Sequence, residues 1–214
     1  MSSALGKSGV FVMAILMGAM ICSVNAMAGS SLYSTLGPGG QYDNSGGVLV
    51  EGSNFSNEVI ANPFTLNSGG FVSNALLALA NVQGNNSPLN VYIESNNGGM
   101  PGSIIAQLTQ SGTITSLGGL VNFTCSGNAC GLTPGSYWLV AVESDPNSSQ
   151  GWFFSNGDQQ GNIAYNLNGS ATGPWSELSY TLEAFQIDTP EPNSLLIILS
   201  GLASAGYGLR RKLL

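Results

Sequence analysis

The chain has 214 residues, of which 30 are glycine and 7% are charged, so it has room for one domain plus targeting segments and suits an all-β body with many turns. The four basic residues, Lys7, Arg210, Arg211 and Lys212, lie in the tails, and every acidic residue except Glu191 falls between positions 29 and 189, a stretch with no Lys, Arg or His. Such a body has no cation with which to displace counterions from a phosphate backbone, which excludes nucleic-acid binding, and it has no histidine base, Schiff-base lysine, Ser-His-Asp triad or imidazole metal ligand.

At the N-terminus Lys7 precedes the apolar run 10–21, and Ala26-Met27-Ala28 follows. Charge, apolar core and small-residue cleavage site together predict a secretory signal peptide over 1–28, with Ala26 and Ala28 marking the cut and Gly29 the first mature residue. The apolar run, about 12 residues, is short for a membrane span. Ile21 stands before Cys22 where a lipoprotein signal would need a small residue, so Cys22 is expected to leave with the signal peptide.

Residues 29–46 are rich in turn formers and read as an extended lead-in, with regular structure expected after them. Short β-branched and aromatic runs then recur between Gly, Asn, Ser and Pro clusters, predicting strands over 48–51, 58–66, 71–80, 89–94, 104–108, 120–124, 136–143, 151–155, 162–166 and 179–187. Their spacing predicts an all-β domain over 47–188, an antiparallel β-sandwich of jelly-roll-like form. In 136–143, Tyr137, Leu139 and Ala141 share one face and Trp138, Val140 and Val142 the other, which predicts a central strand buried on both sides. Cys125 and Cys130 are the two cysteines left in an exported chain and are expected to form a disulfide, stapling a turn.

Three stretches of this region resemble a known surface domain: Phe64-Thr-Leu, the segment 89–106 with its Gly-Met-Pro-Gly, and Leu132-Thr-Pro-Gly-Ser-Tyr-Trp-Leu-Val. They look like the choice-of-anchor R type, in which a Tyr-bearing strand leads through a Gly-Pro-Gly turn into the next strand and a Thr-Pro-Gly turn opens a Tyr-Trp strand. The resemblance implies a β-sandwich carried by different surface-attachment signals, and it supplies no catalytic residue.

The C-terminal stretch 189–214 has three parts: Pro190-Glu191-Pro192, the uncharged and largely apolar run 194–209, and the basic cluster Arg210, Arg211, Lys212. Flanking cations that snorkel let a run this short just span a bilayer, and the positive-inside rule leaves the β domain on the outer face of that membrane. This end resembles the PEP-CTERM sorting signal of Gram-negative bacteria. That likeness implies an exosortase, a membrane cysteine peptidase, as the processing partner after the secretion machinery. It also implies a route from an inner-membrane-tethered intermediate to the cell surface or extracellular matrix.

Only carboxylate chemistry remains for catalysis, and the pairs Glu143 with Asp145 and Glu177 with Glu183 read as solvated turn acids more readily than as a glycosidase site. Oxygen-rich turns at Asp43-Asn44-Ser45 and Asp145-Pro146-Asn147-Ser148 offer hard ligands to calcium, but turn formation alone accounts for them, and no metal ligand is assigned. Trp152 and Trp175 fall near turn signals and are candidate glycan contacts, although strand aromatics usually belong to the core. The expectation is a non-enzymatic, exported structural or adhesive component of an exopolysaccharide-associated or biofilm matrix, without a cofactor. A carbohydrate-binding module using exposed aromatics is the alternative.

Overall fold

In the computed structural model, residues 30–157 and 159–190 are described. The signal peptide with Ala26 and Ala28, the sorting residues Glu191 and Pro192, the apolar run after them and the cluster Arg210, Arg211 and Lys212 lie outside the described residues. In chain order the strands are β1 (Ser31–Ser34), β2 (Tyr42–Glu51), β3 (Val59–Leu66), β4 (Gly70–Phe71), β5 (Asn74–Gln83), β6 (Leu89–Asn97) and β7 (Met100–Gln110). They continue as β8 (Gly119–Thr124), β9 (Gly131–Leu132), β10 (Gly135–Glu143), β11 (Ser149–Ser155), β12 (Gln160–Asn166), β13 (Ser176–Thr181) and β14 (Phe185–Asp188), with one 3₁₀ turn at Asn128–Cys130.

The all-β, antiparallel expectation holds, but the strands do not divide into two separate sheets. Twelve of them form one strongly curled half-barrel sheet, and β4 and β9 make a two-stranded ribbon. Continuity runs through β7, whose body pairs with β6 while its last two residues, Thr109 and Gln110, pair with Thr124 and Phe123 of β8. Register shifts beside Glu94 add local twist toward the hairpin end of the β6–β7 ladder, away from that corner, as bulges do. One half of the sheet therefore runs β7-β6-β10-β3-β12-β13, and the other gathers β8, β14, β11 and, beyond them, β1 and β2 around β5.

The main core lies between the two halves. It joins Ile60, Phe64, Ile93 and Leu139 of the first half to Leu77, Phe123, Trp152 and Phe185 of the second. Phe64 and Phe185 meet edge to face at 6.3 Å between ring centroids, and Tyr33 of β1 packs on both rings. A smaller cluster of Val59, Ala61, Trp138, Val140, Val142 and Ala164 covers the outer face of the first half. Strand β10 accordingly sits between β3 and β6 with Tyr137 to Glu143 all buried, as its two apolar faces predict.

Elsewhere the chain departs from the sequence reading. Residues 29–46 are no simple lead-in, since β1 pairs with β14 and β2 begins at Tyr42. Thr35, fully buried, ties this stretch to the far end of the chain through its hydroxyl, which donates to the Glu183 carbonyl at 2.7 Å and accepts from the Phe185 amide at 2.8 Å. The run 71–80 is broken between β4 and β5, and the single strand expected over 179–187 is two, β13 in one half of the sheet and β14 in the other. The turn between β6 and β7 is made by Gly98 and Gly99, at φ 65° and 94°, a pair of left-handed residues that suits a tight hairpin; Pro101 already lies in β7, opposite Asn96.

Candidate functional site

Strand directions place the connections 52–58, 84–88, 144–148 and 167–175 at one end of the sheet. Hydrogen bonds knit them together: Gly52 N–H donates to Ser148 O, Asn54 N–H to Pro146 O, the Ser148 hydroxyl to Asn85 O at 2.6 Å, and Gly169 N–H to Asn57 O. Short polar side chains dominate here because each must close a turn against a neighbouring loop rather than fill a core. The ends of the described chain meet elsewhere, where Thr189 N–H and its hydroxyl both donate to Ser30 O at 3.0 Å. Those residues follow β14 and precede β1, at the opposite end from the knitted loops.

Carboxylates gather at the loop end. Glu51 is buried and accepts from the Ser56 amide and hydroxyl on Oε2 and from the Ser149 hydroxyl on Oε1, while Glu58 nearby has its pKa raised, first by burial and then by the Glu51 charge. Asp145 accepts from the Asn147 amide at 3.0 Å and from the Asn85 side chain, and these bonds lower its pKa. Asp43 does the same with the Ser45 hydroxyl and amide, and its pKa is lowered. Both acids named as calcium candidates thus spend oxygens on their own turns, and among the described residues no three His, Cys, Asp or Glu side chains are grouped to hold a metal.

Glu143 closes β10 at this end with only 5% of its surface exposed. Its Oε1 accepts from the Ser87 hydroxyl at 2.9 Å and the Asp145 amide at 2.8 Å, and its Oε2 has no partner among the described residues. It borders a cleft of about 380 Å³ whose other walls include Asn57, Asn90, Tyr92, Ser144 and Asn168. A second recess, of about 420 Å³, lies at the other end of the same outer face beside Trp138, Asn96, Asn162 and Glu177. There the Trp138 indole is 3% exposed and donates from Nε1 to Asn96 Oδ1 at 3.0 Å, so its ring faces are spent on packing.

The candidate glycan contacts fare differently. Trp152 is overturned: it is fully buried in the main core, donates from Nε1 to Ala184 O at 3.0 Å and meets Phe185 edge to face, which leaves no ring surface for a sugar. Trp175 is half-buried against the outer cluster, with an Nε1 that has no partner among the described residues. The proposed acid pairs also separate by role. Glu143 and Asp145 are joined through a backbone bond, whereas Glu177 is exposed on β13 and Glu183 is fully buried at the crossover into β14. Cys125 and Cys130 form the expected disulfide and staple the exposed turn 126–129, while both cysteines themselves belong to the main core.

Sequence reasoning did not single out Tyr92, Asn57 or Asn168 as neighbours of Glu143. They come from three separate connections and strands, and the sole local cue is turn chemistry such as the left-handed Asn57, at φ 56°. Among the described residues no helix is long and apolar enough to cross a membrane. Comparison with known proteins finds one likeness: residues 188–212 match the PEP-CTERM protein-sorting motif, starting at Asp188, the last residue of β14. No curated protein and no solved structure matches the chain.

Proposed function

From a chain that carries a PEP-CTERM sorting motif, and is by that motif exported and exosortase-processed, we propose a non-catalytic surface or matrix protein, a structural or adhesive component associated with exopolysaccharide. The observation that carries this reading is the junction: the motif begins at Asp188, where the last described strand ends, so the match starts as the described sheet closes. Its surface chemistry agrees. Solubility rests on Asn, Ser, Thr and carboxylates with no cation over 29–189, and among the described acids Asp43 and Asp145 shape turns, Glu51, Glu94, Glu143 and Glu183 are buried, and Glu177 stands exposed on β13.

The finer identity of the body is part of the same proposal. We read it as a choice-of-anchor-like domain, a sandwich variant whose two layers stay joined through β7. The Thr-Pro-Gly start of the Tyr-Trp strand β10 and the tight turn between β6 and β7 support that reading. The test is processing in the native host. With the exosortase present, the surface protein is expected to lack Arg210 to Leu214 by mass spectrometry. A variant with Pro190, Glu191 and Pro192 replaced by alanine should stay in the membrane fraction with that tail intact. An intact tail on wild-type surface protein would overturn the proposal.

A further inference from the structure

We propose that the loop-end cleft bordered by Glu143 and Tyr92 binds one neutral sugar unit of a glycan. Three features of the cleft converge on that ligand. Its volume, about 380 Å³, lies at the small end of the roughly 300–1,000 Å³ typical of ligand pockets. Its walls carry an aromatic ring, Tyr92, beside short amide and hydroxyl side chains that both donate and accept, which is the mixture a polyol ring requires. Ser53, Asn57 and Ser144 make no side-chain hydrogen bond to another described residue, so their polar groups are free for a ligand.

The second, independent observation is Glu143. A carboxylate oxygen enclosed this fully and left without a donor costs free energy unless something supplies one. The two donors that reach this carboxyl, the Ser87 hydroxyl and the Asp145 amide, are both on Oε1. A sugar hydroxyl supplies the missing donor without bringing a charge.

Charge selects among sugars. Glu51, Glu58 and Asp145 surround the same end, and the body contributes no Lys, Arg or His, so a uronate, sulfate or phosphate would meet repulsion with nothing to offset it. A divalent cation would favour the acids, but among the described residues no three His, Cys, Asp or Glu side chains are grouped to hold one, and Glu51 and Asp145 accept from Ser56 and Ser149 and from Asn147 and Asn85. The ligand class is therefore an uncharged hexose polymer. The inference rests on the matrix reading only for where such a polymer is met, and its test uses purified protein, so that a failure of sorting and a failure of binding remain distinguishable.

The probes are dextran, laminarin and galactomannan as neutral polymers, polygalacturonate as an acidic one, and calcium chloride alone. The processed exported protein should bind at least one neutral polymer in affinity electrophoresis and ignore polygalacturonate. Glu143→Gln, which keeps size and one acceptor, should weaken that binding about tenfold or more by putting an amide donor where the accepting oxygen stood. Ser53→Trp, at an exposed wall position, should block it while leaving the fold's own contacts in place, which keeps the test valid if the first variant is unstable. Binding of none of the neutral polymers, equal binding of polygalacturonate, or binding that survives both substitutions would overturn the proposal. So would a calcium-induced rise in melting temperature that Glu143→Gln abolishes.

Discussion

Glu94, on β6 opposite Trp138, and Glu183, at the crossover into β14, are fully buried with both carboxyl oxygens unpartnered among the described residues, whereas Asp43 at the start of β2 and Asp145 in the loop after β10 each hold a backbone amide and a hydroxyl two or three residues on. Burial pushes Glu94 up to about 7 and Glu183 to about 8, while the turn bonds lower Asp43 and Asp145. A protein whose body has no cation therefore has two fates for an acid. Turn geometry supplies donors to an ionised carboxylate, and burial that outweighs the few donors within reach, Asn62 and the backbone amide for Glu183, favours the protonated form. The sheet interior should respond to substitution and pH, and the loop end should respond to ligands.

The largest effect should come from the interior. Trp152→Ala removes a fully buried indole from contact with Phe185 and takes one of the two donors from the Ala184 carbonyl, which keeps the Ala78 amide, a loss of about 3–5 kcal/mol typical of large core truncations. Trp175→Ala, at a half-buried position with no hydrogen bond to lose, should cost about 2 kcal/mol or less. Denaturant unfolding of the two variants measures the contrast directly. Equal losses would mean that the loop over the outer face is as firmly packed as the core.

Next comes pH. In the unfolded chain the Glu183 carboxyl ionises near its ordinary 4.5, and in the folded protein burial holds the proton to about 8. Between those values unfolding releases a proton, so the stability that the neutral carboxyl preserves is fully present below about 4.5 and is lost as pH rises toward and through 8. The melting temperature should fall across that window, and Glu183→Gln should flatten much of the slope, leaving a residue from Glu94, which shifts in the same direction. Asp145→Asn should leave the slope between pH 5 and 8 unchanged, since a lowered pKa acts only at more acidic pH.

How much of this was legible beforehand follows the range of the interactions involved. Strand β10 could be read directly, because both of its alternating sets are apolar and no choice of inward face was needed. Trp152 could not, because period-two alternation says which residues share a face but not which face turns inward, and that depends on β11 lying between β2 and β5. The crossover at Leu182 to Ala184 was hidden inside a run, Ser179 to Ile187, whose composition suits one strand. It is imposed by distant partners: the Leu182 amide donates to Gln159 O, the Glu183 amide to Asn62 Oδ1 and the Ala184 amide to Phe153 O. Strand β1, four residues of Ser, Leu and Tyr, exists only because β14 reaches it from more than 150 positions away. The cleft was illegible for the same reason, since Tyr92, Glu143 and Asn168 become neighbours only when β6, β10 and the loop after β12 are side by side.

The smallest expected effect tests where the disulfide belongs in this contrast. A bridge between Cys125 and Cys130 closes a loop so short that chain entropy alone accounts for about 2 kcal/mol, and on that ground its loss would be mild. Its placement argues for more than a surface staple, since Cys130 is fully buried, Cys125 is 9% exposed, and both lie in the main core beside the β4–β9 ribbon. Replacing both with Ala should therefore cost the loop term plus a small packing term, lowering the denaturant midpoint while leaving a cooperative transition. The native sulfurs should also resist a reductant until the protein unfolds, so that alkylation after mild reductant treatment tracks global unfolding. Rapid labelling of both thiols in folded protein would move the bridge from the interior to the loop side of the comparison, and a double variant as stable as wild type would show that neither the closure nor the packing contributes.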